Sequence, residues 1–139
     1  MKGSEEFNNI EFFIPLKDVP TMTAQEQRIS CKNNKPVIYK DKELEDIENL
    51  FCGHLFSYTP DKPIKGPISL TTKWLFKNNG SHKNGEWKET KPDTTNLIKL
   101  FEDCMTKVGF WGDDCQVASN LIQKFWADIP GIYVKIEKL

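Results

Sequence analysis

The sequence predicts an α+β fold, a single domain over residues 1–139 in which two helices pack on one face of a mixed sheet. Three observations support this fold class. The length of 139 residues is that of one ordinary domain. Apolar residues alternate in some segments and recur at helical spacing in others. The resulting order of strand, helix, strand, helix, strand, strand favours a sheet covered by helices.

The N-terminal half contains one predicted strand and one predicted helix. Alternating apolar residues predict a strand at 10–14, before a proline. Residues 15–36 are polar and rich in turn formers, so we expect a loop with at most short extended pieces, and 37–39 is another such piece. A helix is predicted at 41–56. Its apolar residues at helical spacing are Leu44, Ile47, Leu50, Phe51 and Leu55.

The C-terminal half contains the remaining elements. Alternation predicts a strand at 68–76, and helical spacing predicts a second helix at 95–108. Gly109 is expected to end this helix in the left-handed conformation. The segments 116–126 and 131–137 predict two final strands, and their connection is short enough for a hairpin.

Neither a membrane segment nor a secretion signal is predicted. No stretch approaches the roughly 20 apolar residues of a membrane helix, and the first residues lack the apolar core of a signal peptide. We therefore expect a cytoplasmic protein with no membrane partner. The cysteines form no C-x-x-C pair, which favours free thiols over a zinc site or a disulfide framework. They are Cys31, Cys52, Cys104 and Cys115.

The charges are unevenly distributed along the chain. The net charge of -1 argues against a wholly electrostatic DNA-binding protein. Residues 61–91, however, carry seven lysines and three acidic residues, whereas residues 1–60 are more acidic than basic. Lysines favour point-charge contacts with phosphates over bidentate reading of bases.

Three aspartates flank the second predicted helix. Asp93 precedes it, and Asp113 and Asp114 follow it. A helix of about fourteen residues is roughly 21 Å long, so these carboxylates meet only if the chain after Gly109 doubles back. If they converge, their oxygens suit Mg²⁺ or Mn²⁺. The chemistry would be metal-assisted attack of water on a phosphodiester, with Lys99 stabilising the transition-state charge or orienting the water.

A purely structural interpretation of the same residues stays open. Asp93 would cap the helix, Lys99 would pair with Asp103 four residues later, and Asp113 and Asp114 would be solvated in a turn. The chemistry of the residues alone favours this interpretation over a metal site.

A resemblance to a known family, carried by the residues of the motif at their spacing, favours the metal-site interpretation. The pattern D-x-x-N-L-x-K, an Asp four residues later, and G-x-x-x-D-D-x-Q is formed by Asp93, Asn96, Leu97, Lys99, Asp103, Gly109, Asp113, Asp114 and Gln116. It resembles the RusA family of Holliday junction resolvases (crossover junction endodeoxyribonucleases), often carried by phages and prophages. The resemblance implies a homodimeric, Mg²⁺-dependent endonuclease that cuts four-way DNA junctions symmetrically in recombination and repair.

The resemblance also implies roles for single residues. Asp93 and Asp114 would bind the metal and be catalytic, Lys99 would be functionally important, and Asp113 would adjoin the site. The second aspartate of the family signature is Thr95 here. Its hydroxyl can still ligate Mg²⁺, but the missing charge should weaken metal affinity. The chain is then either an endonuclease in which Asp113 compensates, or a branched-DNA binding module with weak or lost cleavage.

The basic segment fits a junction substrate, because lysines can hold the phosphates that an acidic site repels. Trp87 would either stack on an unpaired base or fold onto the domain, and both alternatives stay open. Symmetrical cutting of a two-fold junction also requires two sites related by a two-fold axis, which predicts a homodimer. The predicted DNA-binding residues are Lys73, Lys77, Lys83, Lys88, Lys91 and Trp87.

Overall fold

The structure, a computed structural model, describes residues 9–20, 28–32, 35–39 and 42–139. This part of the chain has an α+β fold with a mixed four-stranded sheet, a two-stranded sheet and two helices, which confirms the predicted fold class. The elements are β1 (Ile10–Pro15), β2 (Arg28–Lys32), β3 (Lys35–Tyr39), α1 (Lys42–Phe56), β4 (Ile68–Lys77), α2 (Thr94–Val108), a 3₁₀ turn (Asp114–Gln116), β5 (Val117–Ala127) and β6 (Gly131–Lys138).

The chain divides into two compact units. The sheet unit comprises the described residues of Met1–Val19, Ile64–Glu89 and Gly112–Leu139, and it contains the four-stranded sheet. The helical unit comprises those of Pro20–Pro63 and Thr90–Trp111, and it contains β2, β3, α1 and α2. Packing of both helices on one face of the sheet, in a single domain over 1–139, stays a prediction.

The four-stranded sheet has the order β1-β6-β4-β5. Strand β6 pairs antiparallel with both β1 and β4, whereas β4 and β5 are parallel. Every second residue of β4, from Ile68 to Phe76, is buried, as the alternation predicted. The one buried polar side chain described in the core, Thr72, accepts a hydrogen bond from the indole N–H of Trp74 at 3.0 Å. Its burial therefore leaves no polar atom unsatisfied.

The predicted hairpin between the last two strands is wrong. Strand β4 lies between β5 and β6, so these two strands are not neighbours. Ala127 ends β5 beside Lys77, and Gly131 begins β6 beside Leu75. The connection at 128–130 thus passes the end of β4 and spans two strand spacings, about 10 Å, which a few extended residues can cover. A short connection therefore does not distinguish adjacent strands from strands separated by a third.

The helical unit contains a hairpin that the sequence did not predict as a pair. Strands β2 and β3 are antiparallel, with Arg28 opposite Tyr39. The extended piece predicted at 37–39 lies within β3, whereas β2 lies in the segment that was expected to be mostly loop. Both predicted helices are confirmed, and they contact each other. The rings of Phe51 and Phe101 pack edge to face at 5.2 Å between their centroids.

Polar contacts also join the two helices. The ammonium group of Lys107 lies 2.7 Å from a carboxylate oxygen of Glu48. The thiol of Cys104 donates to the backbone carbonyl of Glu48 at 3.6 Å. Cys52, Cys104 and Cys115 are free thiols, while Cys31 lies in a strand whose side chains are outside the described part. Neither helix in the described part combines the length and apolar character needed to span a membrane.

Candidate active site and DNA-contact surface

Asp93 occupies the N-cap position of α2. Its backbone is extended, with φ of -69° and ψ of 145°, and its carbonyl accepts the first helical hydrogen bonds, from Asn96 at 3.1 Å and Leu97 at 3.2 Å. The Asp93 side chain makes no capping hydrogen bond and is exposed. Asp93 is therefore the N-cap residue by position, but its side chain does not make the capping hydrogen bond that the structural interpretation expects.

Thr95 and Lys99 lie in the first two turns of α2. They are four residues apart, which places them on the same side of the helix, and both are exposed. Asp103 is also exposed, but the ion pairs of the described residues include none between Lys99 and Asp103. The second part of the structural interpretation, an i,i+4 ion pair, is thus also missing.

The chain reverses direction where α2 ends. Gly109 has φ of +102°, the predicted left-handed conformation. Its N–H donates to the backbone carbonyl of Thr106 at 3.2 Å, and the N–H of Phe110 donates to the backbone carbonyl of Met105 at 3.0 Å. These two hydrogen bonds form a Schellman motif. The indole N–H of Trp111 then donates to the Thr106 hydroxyl at 2.8 Å. The chain from Gly109 to Trp111 therefore folds back onto the last turn of the helix.

Residues 112–116, which we call the acidic turn, hold the other two aspartates. The Asp113 carboxylate accepts from the backbone N–H of Cys115 at 3.0 Å, and the side chain of Gln116 accepts from the N–H of Asp113 at 3.2 Å. These two bonds form a capping box around the 3₁₀ turn. Asp113 and Asp114 are both exposed. The turn therefore presents two adjacent carboxyl groups to solvent.

The hydrogen bonds of the acidic turn favour the ionised form of Asp113. The backbone N–H of Cys115, followed by a hydrogen bond with Asp114, lowers the pKa of the Asp113 carboxyl. Two carboxyl groups within hydrogen-bonding distance repel each other when both are ionised, and a bound divalent cation would offset that repulsion. The donor set, oxygen only and acidic, fits a hard cation such as Mg²⁺.

Gln116 is a site residue to which sequence reasoning gave no role. Its side-chain nitrogen donates to the carbonyls of Ile64 at 2.9 Å and Gly66 at 3.1 Å, which anchors the acidic turn to the segment before β4. The sequence did contain the signal for the capping box, because an acidic N-cap residue followed three residues later by Gln is typical of that motif.

The structure groups the predicted site residues in two places. Asp93, Thr95 and Lys99 lie at the start of α2 in the helical unit, and Asp113 and Asp114 lie in the acidic turn of the sheet unit. Among the residues described here, no three or more His, Cys, Asp or Glu side chains form a group that could hold a metal ion. That Asp93, Thr95, Asp113 and Asp114 share one metal site, with Lys99 beside it, stays a prediction.

Two predicted DNA-contact lysines lie on one face of β4. Lys73 and Lys77 are four residues apart, which is two full alternations of the strand, and their side chains are partly and fully exposed, respectively. The ammonium group of Lys73 lies 5.3 Å from the centre of the Tyr133 ring. That of Lys77 donates to the Asp128 carbonyl at 3.1 Å. Lys83 and Lys91 are exposed, the former in the sheet unit and the latter in the helical unit.

The predicted basic loop at 78–89 runs beside β5. Trp87 forms an antiparallel bridge with Phe125. On one side of the bridge, the backbone N–H of Lys88 donates to the carbonyl of Lys124 at 3.0 Å. On the other side, the backbone N–H of Trp126 donates to the carbonyl of Glu86 at 2.8 Å. This edge segment, as we call residues 78–89, therefore covers the backbone edge that β5 would otherwise expose here.

Trp87 combines the two alternatives that the sequence left open. Its ring lies 4.4 Å from the ring of Phe125, yet 64% of its surface is exposed. Lys88 is half-buried, with its ammonium group 3.9 Å from the centre of the Trp126 ring, and burial lowers the pKa of Lys88. Trp87 thus rests on the sheet and still offers a surface for stacking, whereas Lys88 takes part in packing.

Comparison with known proteins identifies the class. The family model described as Endodeoxyribonuclease RusA matches residues 18–137, so the chain belongs to the RusA family of DNA endonucleases. It is similar to the crossover junction endodeoxyribonuclease rusA of Lactococcus phage r1t. The two are 31% identical over 109 residues, which cover 77% of this chain and 81% of the phage protein.

Proposed function

We propose that this endonuclease resolves four-way DNA junctions by hydrolysing phosphodiester bonds with Mg²⁺, for which Mn²⁺ can substitute. The observation that carries the proposal is the acidic turn, in which Asp113 and Asp114 present adjacent exposed carboxyl groups. Membership of an endodeoxyribonuclease family and similarity to a phage crossover junction enzyme support the substrate. A DNA substrate also agrees with the predicted cytoplasmic location.

The cation would be held by oxygen ligands from both groups of site residues. Asp114 and Asp113 supply carboxylates from the acidic turn, and Asp93 supplies one from the start of α2, where no capping bond engages it. Thr95 supplies a hydroxyl. A divalent cation bound here activates water as the nucleophile and stabilises negative charge on the phosphoryl oxygens.

Lys99 has a role separate from metal binding. Its side chain is exposed and lies on the same side of α2 as Thr95. A cation at this place would stabilise the extra negative charge that the phosphate develops in the transition state. Because lysine is a point charge on a flexible side chain, it can follow the phosphate as its geometry changes.

The DNA would be held by lysines outside the acidic site. Lys73, Lys77, Lys83 and Lys91 carry charges that attract phosphates. Trp87 would stack on a base that is unpaired at the crossover, since it already rests on Phe125 and needs little rearrangement to receive a second ring. Lys88, which packs over an aromatic ring, would contribute to the positive field more than to a direct phosphate contact.

Two copies of the chain would act on one junction. A four-way junction has two-fold symmetry, and paired cuts in strands of like polarity require two active sites with the same symmetry. A homodimer satisfies this requirement, and a monomer would have to bind the junction twice.

The alternative is a branched-DNA binding protein with weak or lost cleavage. The observation that favours it is Thr95, which stands where the family signature has an aspartate. Fewer negative charges lower the affinity for a divalent cation. Thr95→Asp tests this directly: a large rise in cleavage would indicate that threonine limits the enzyme, and a fall would indicate that the site is built around the hydroxyl.

The decisive experiment incubates the full chain with a synthetic four-way junction, with Mg²⁺, with Mn²⁺ or with a chelator. We expect paired, symmetrical cuts only when metal is present, and no cuts by Asp114→Asn. The matched control is Asp128→Asn, which removes a carboxylate from an exposed position of the same unit outside the acidic turn. Tight junction binding without cleavage in either metal would favour the alternative, and full activity of Asp114→Asn would contradict the proposed site.

A further inference from the structure

The side chain of Gln116 makes four hydrogen bonds that join the acidic turn to the chain before β4. Its oxygen accepts from the N–H groups of Gly112 at 2.9 Å and Asp113 at 3.2 Å. Its nitrogen donates to the carbonyls of Ile64 at 2.9 Å and Gly66 at 3.1 Å. An amide side chain has two acceptor positions and two donor hydrogens, so the whole hydrogen-bonding capacity of Gln116 is used.

These bonds fix the backbone from which both carboxylates project. The N–H of Gln116 also donates to the carbonyl of Asp113 at 3.0 Å, while the Asp113 carboxylate accepts from Cys115. A Cβ added at Gly112 would lie 3.4 Å from the side-chain oxygen of Gln116, which shows how closely the amide packs on the turn. The orientation of Asp113 and Asp114 therefore depends on a side chain that is not acidic and has no capacity left for further hydrogen bonds.

We propose that Gln116 is a positioning residue that holds the Asp113 and Asp114 carboxylates in the geometry that binds a divalent cation. This inference rests on the proposed function. Gln116 has no free polar atom with which to ligate the cation itself, so it acts through the two aspartates. Removing a group that orients metal ligands typically lowers metal affinity by about 10- to 100-fold.

The test measures Mn²⁺ binding to the full chain without DNA, by following the electron paramagnetic resonance signal of the free ion. Gln116→Met keeps the length of the side chain and removes its four hydrogen bonds. Gln116→Asn keeps the amide on a shorter side chain that cannot reach both sets of partners, and it serves if the first variant does not fold. We expect the Kd for Mn²⁺ to rise about tenfold or more in each folded variant.

Two controls separate positioning from a general loss of structure. Thermal unfolding of each variant shows that it is folded at the temperature of the binding measurement. Gln123→Ala removes the same type of side chain from β5 in the same unit, and its Kd should equal that of the wild type. A Kd that rises in the Gln116 variants alone is the signature of positioning, because a merely structural role would not single out metal binding.

The possible results distinguish this inference from the proposed function. An unchanged Kd in a folded Gln116 variant overturns the positioning role, even if the wild type cleaves junctions. A wild type that binds no Mn²⁺ overturns it as well. The expected rise in Kd, in a protein that does not cut four-way junctions, would support the role of Gln116 and contradict the proposed substrate.

Discussion

The indole N–H of Trp111 donates a hydrogen bond of 2.8 Å to the hydroxyl of Thr106, in the last turn of α2. Trp111 is 1% exposed, so this bond and the burial of the ring fix the path of the chain as it leaves the helix. The reversal starts at Gly109, whose φ of +102° allows the Schellman hydrogen bonds. A few local residues therefore determine how α2 ends.

Gly109→Ala should destabilise the helical unit. An L-residue in the left-handed conformation costs roughly 1–2 kcal/mol, so we expect the free energy of unfolding to fall by about that amount. The matched control is Gly53→Ala in α1, where an added Cβ meets no atom within 4 Å. Alanine favours a helix interior over glycine by about 0.5–1 kcal/mol, so this variant should be more stable. Thermal unfolding measures both, and shifts of Tm in the same direction would contradict the role of Gly109.

The side chain of Tyr133 should ionise at an unusually high pH. Its hydroxyl donates to the Glu11 carboxylate, and this bond, with burial, raises the pKa of Tyr133 to about 12. The pKa in the unfolded chain is about 10. Because the protonated phenol is favoured in the folded state, the stabilisation is present below about pH 10 and is lost as the pH rises through about 12.

Ultraviolet titration of tyrosinate measures this directly. Of the three tyrosines of the chain, the one that titrates last should disappear in Tyr133→Phe. Glu11→Gln removes the negative charge that disfavours the phenolate, so it should bring the pKa of Tyr133 down toward 10. A native protein in which all tyrosines ionise together would show that the hydrogen bond has no effect on Tyr133.

The elements that sequence alone predicted are those with a strong local pattern. The alternation from Ile68 to Phe76 gives β4 its buried face, and Gly109 ends α2 as expected. Both features depend on neighbouring residues only, so periodicity and backbone preference are enough to predict them.

The features that were missed depend on contacts between distant residues. The alternation of residues within β5 does not indicate which strand β5 pairs with. The sequence therefore could not predict the parallel pairing that places Leu75 opposite Phe125, and a hairpin between β5 and β6 was predicted instead. The edge segment was predicted to be a loop because the residues around its bridge, between Trp87 and Phe125, do not alternate between apolar and polar. The hydrogen bonds of Gln116 to Ile64 and Gly66 join residues that are about fifty positions apart in the chain. The motif around Gln116 therefore indicates the local capping box but not these distant partners.

Lys83 and Lys88 should differ in their contributions to DNA binding and stability. Lys83 is exposed, so Lys83→Ala should weaken junction binding and reduce the slope of log affinity against log salt by about 0.9, the value for one phosphate contact. The ammonium group of Lys88 lies 3.9 Å from the centre of the Trp126 ring. Lys88→Ala should therefore lower the free energy of unfolding, by about 0.5–2 kcal/mol for a cation–π contact.

Binding measured over a series of salt concentrations, together with thermal unfolding, separates the two lysines. Each variant is the control for the other, because the same charge is removed within the same edge segment. A loss of stability in Lys83→Ala, or a salt slope that falls by the same amount in both variants, would contradict the difference in their roles.

Trp87→Ala should weaken binding to junctions that contain unpaired bases. Trp87 is 64% exposed and rests 4.4 Å from the ring of Phe125, so one face is supported and most of the ring is accessible. Stacking of a base on an aromatic side chain contributes about 1–3 kcal/mol, which corresponds to a loss of affinity of roughly fivefold or more. Binding is measured in a chelator so that the DNA stays intact.

Two comparisons test whether stacking is the cause. Trp87→Phe keeps an aromatic ring at the same place and should retain most of the affinity, because stacking needs only a π-face. Fully paired duplex DNA offers no unpaired base, so the wild type and Trp87→Ala should bind it equally. An equal loss on duplex and junction would show that Trp87 supports the edge segment beside β5 and does not contact a base. In that case the lysines alone would account for DNA binding by this surface, and selectivity for junctions would have to come from the arrangement of two copies around the branch point.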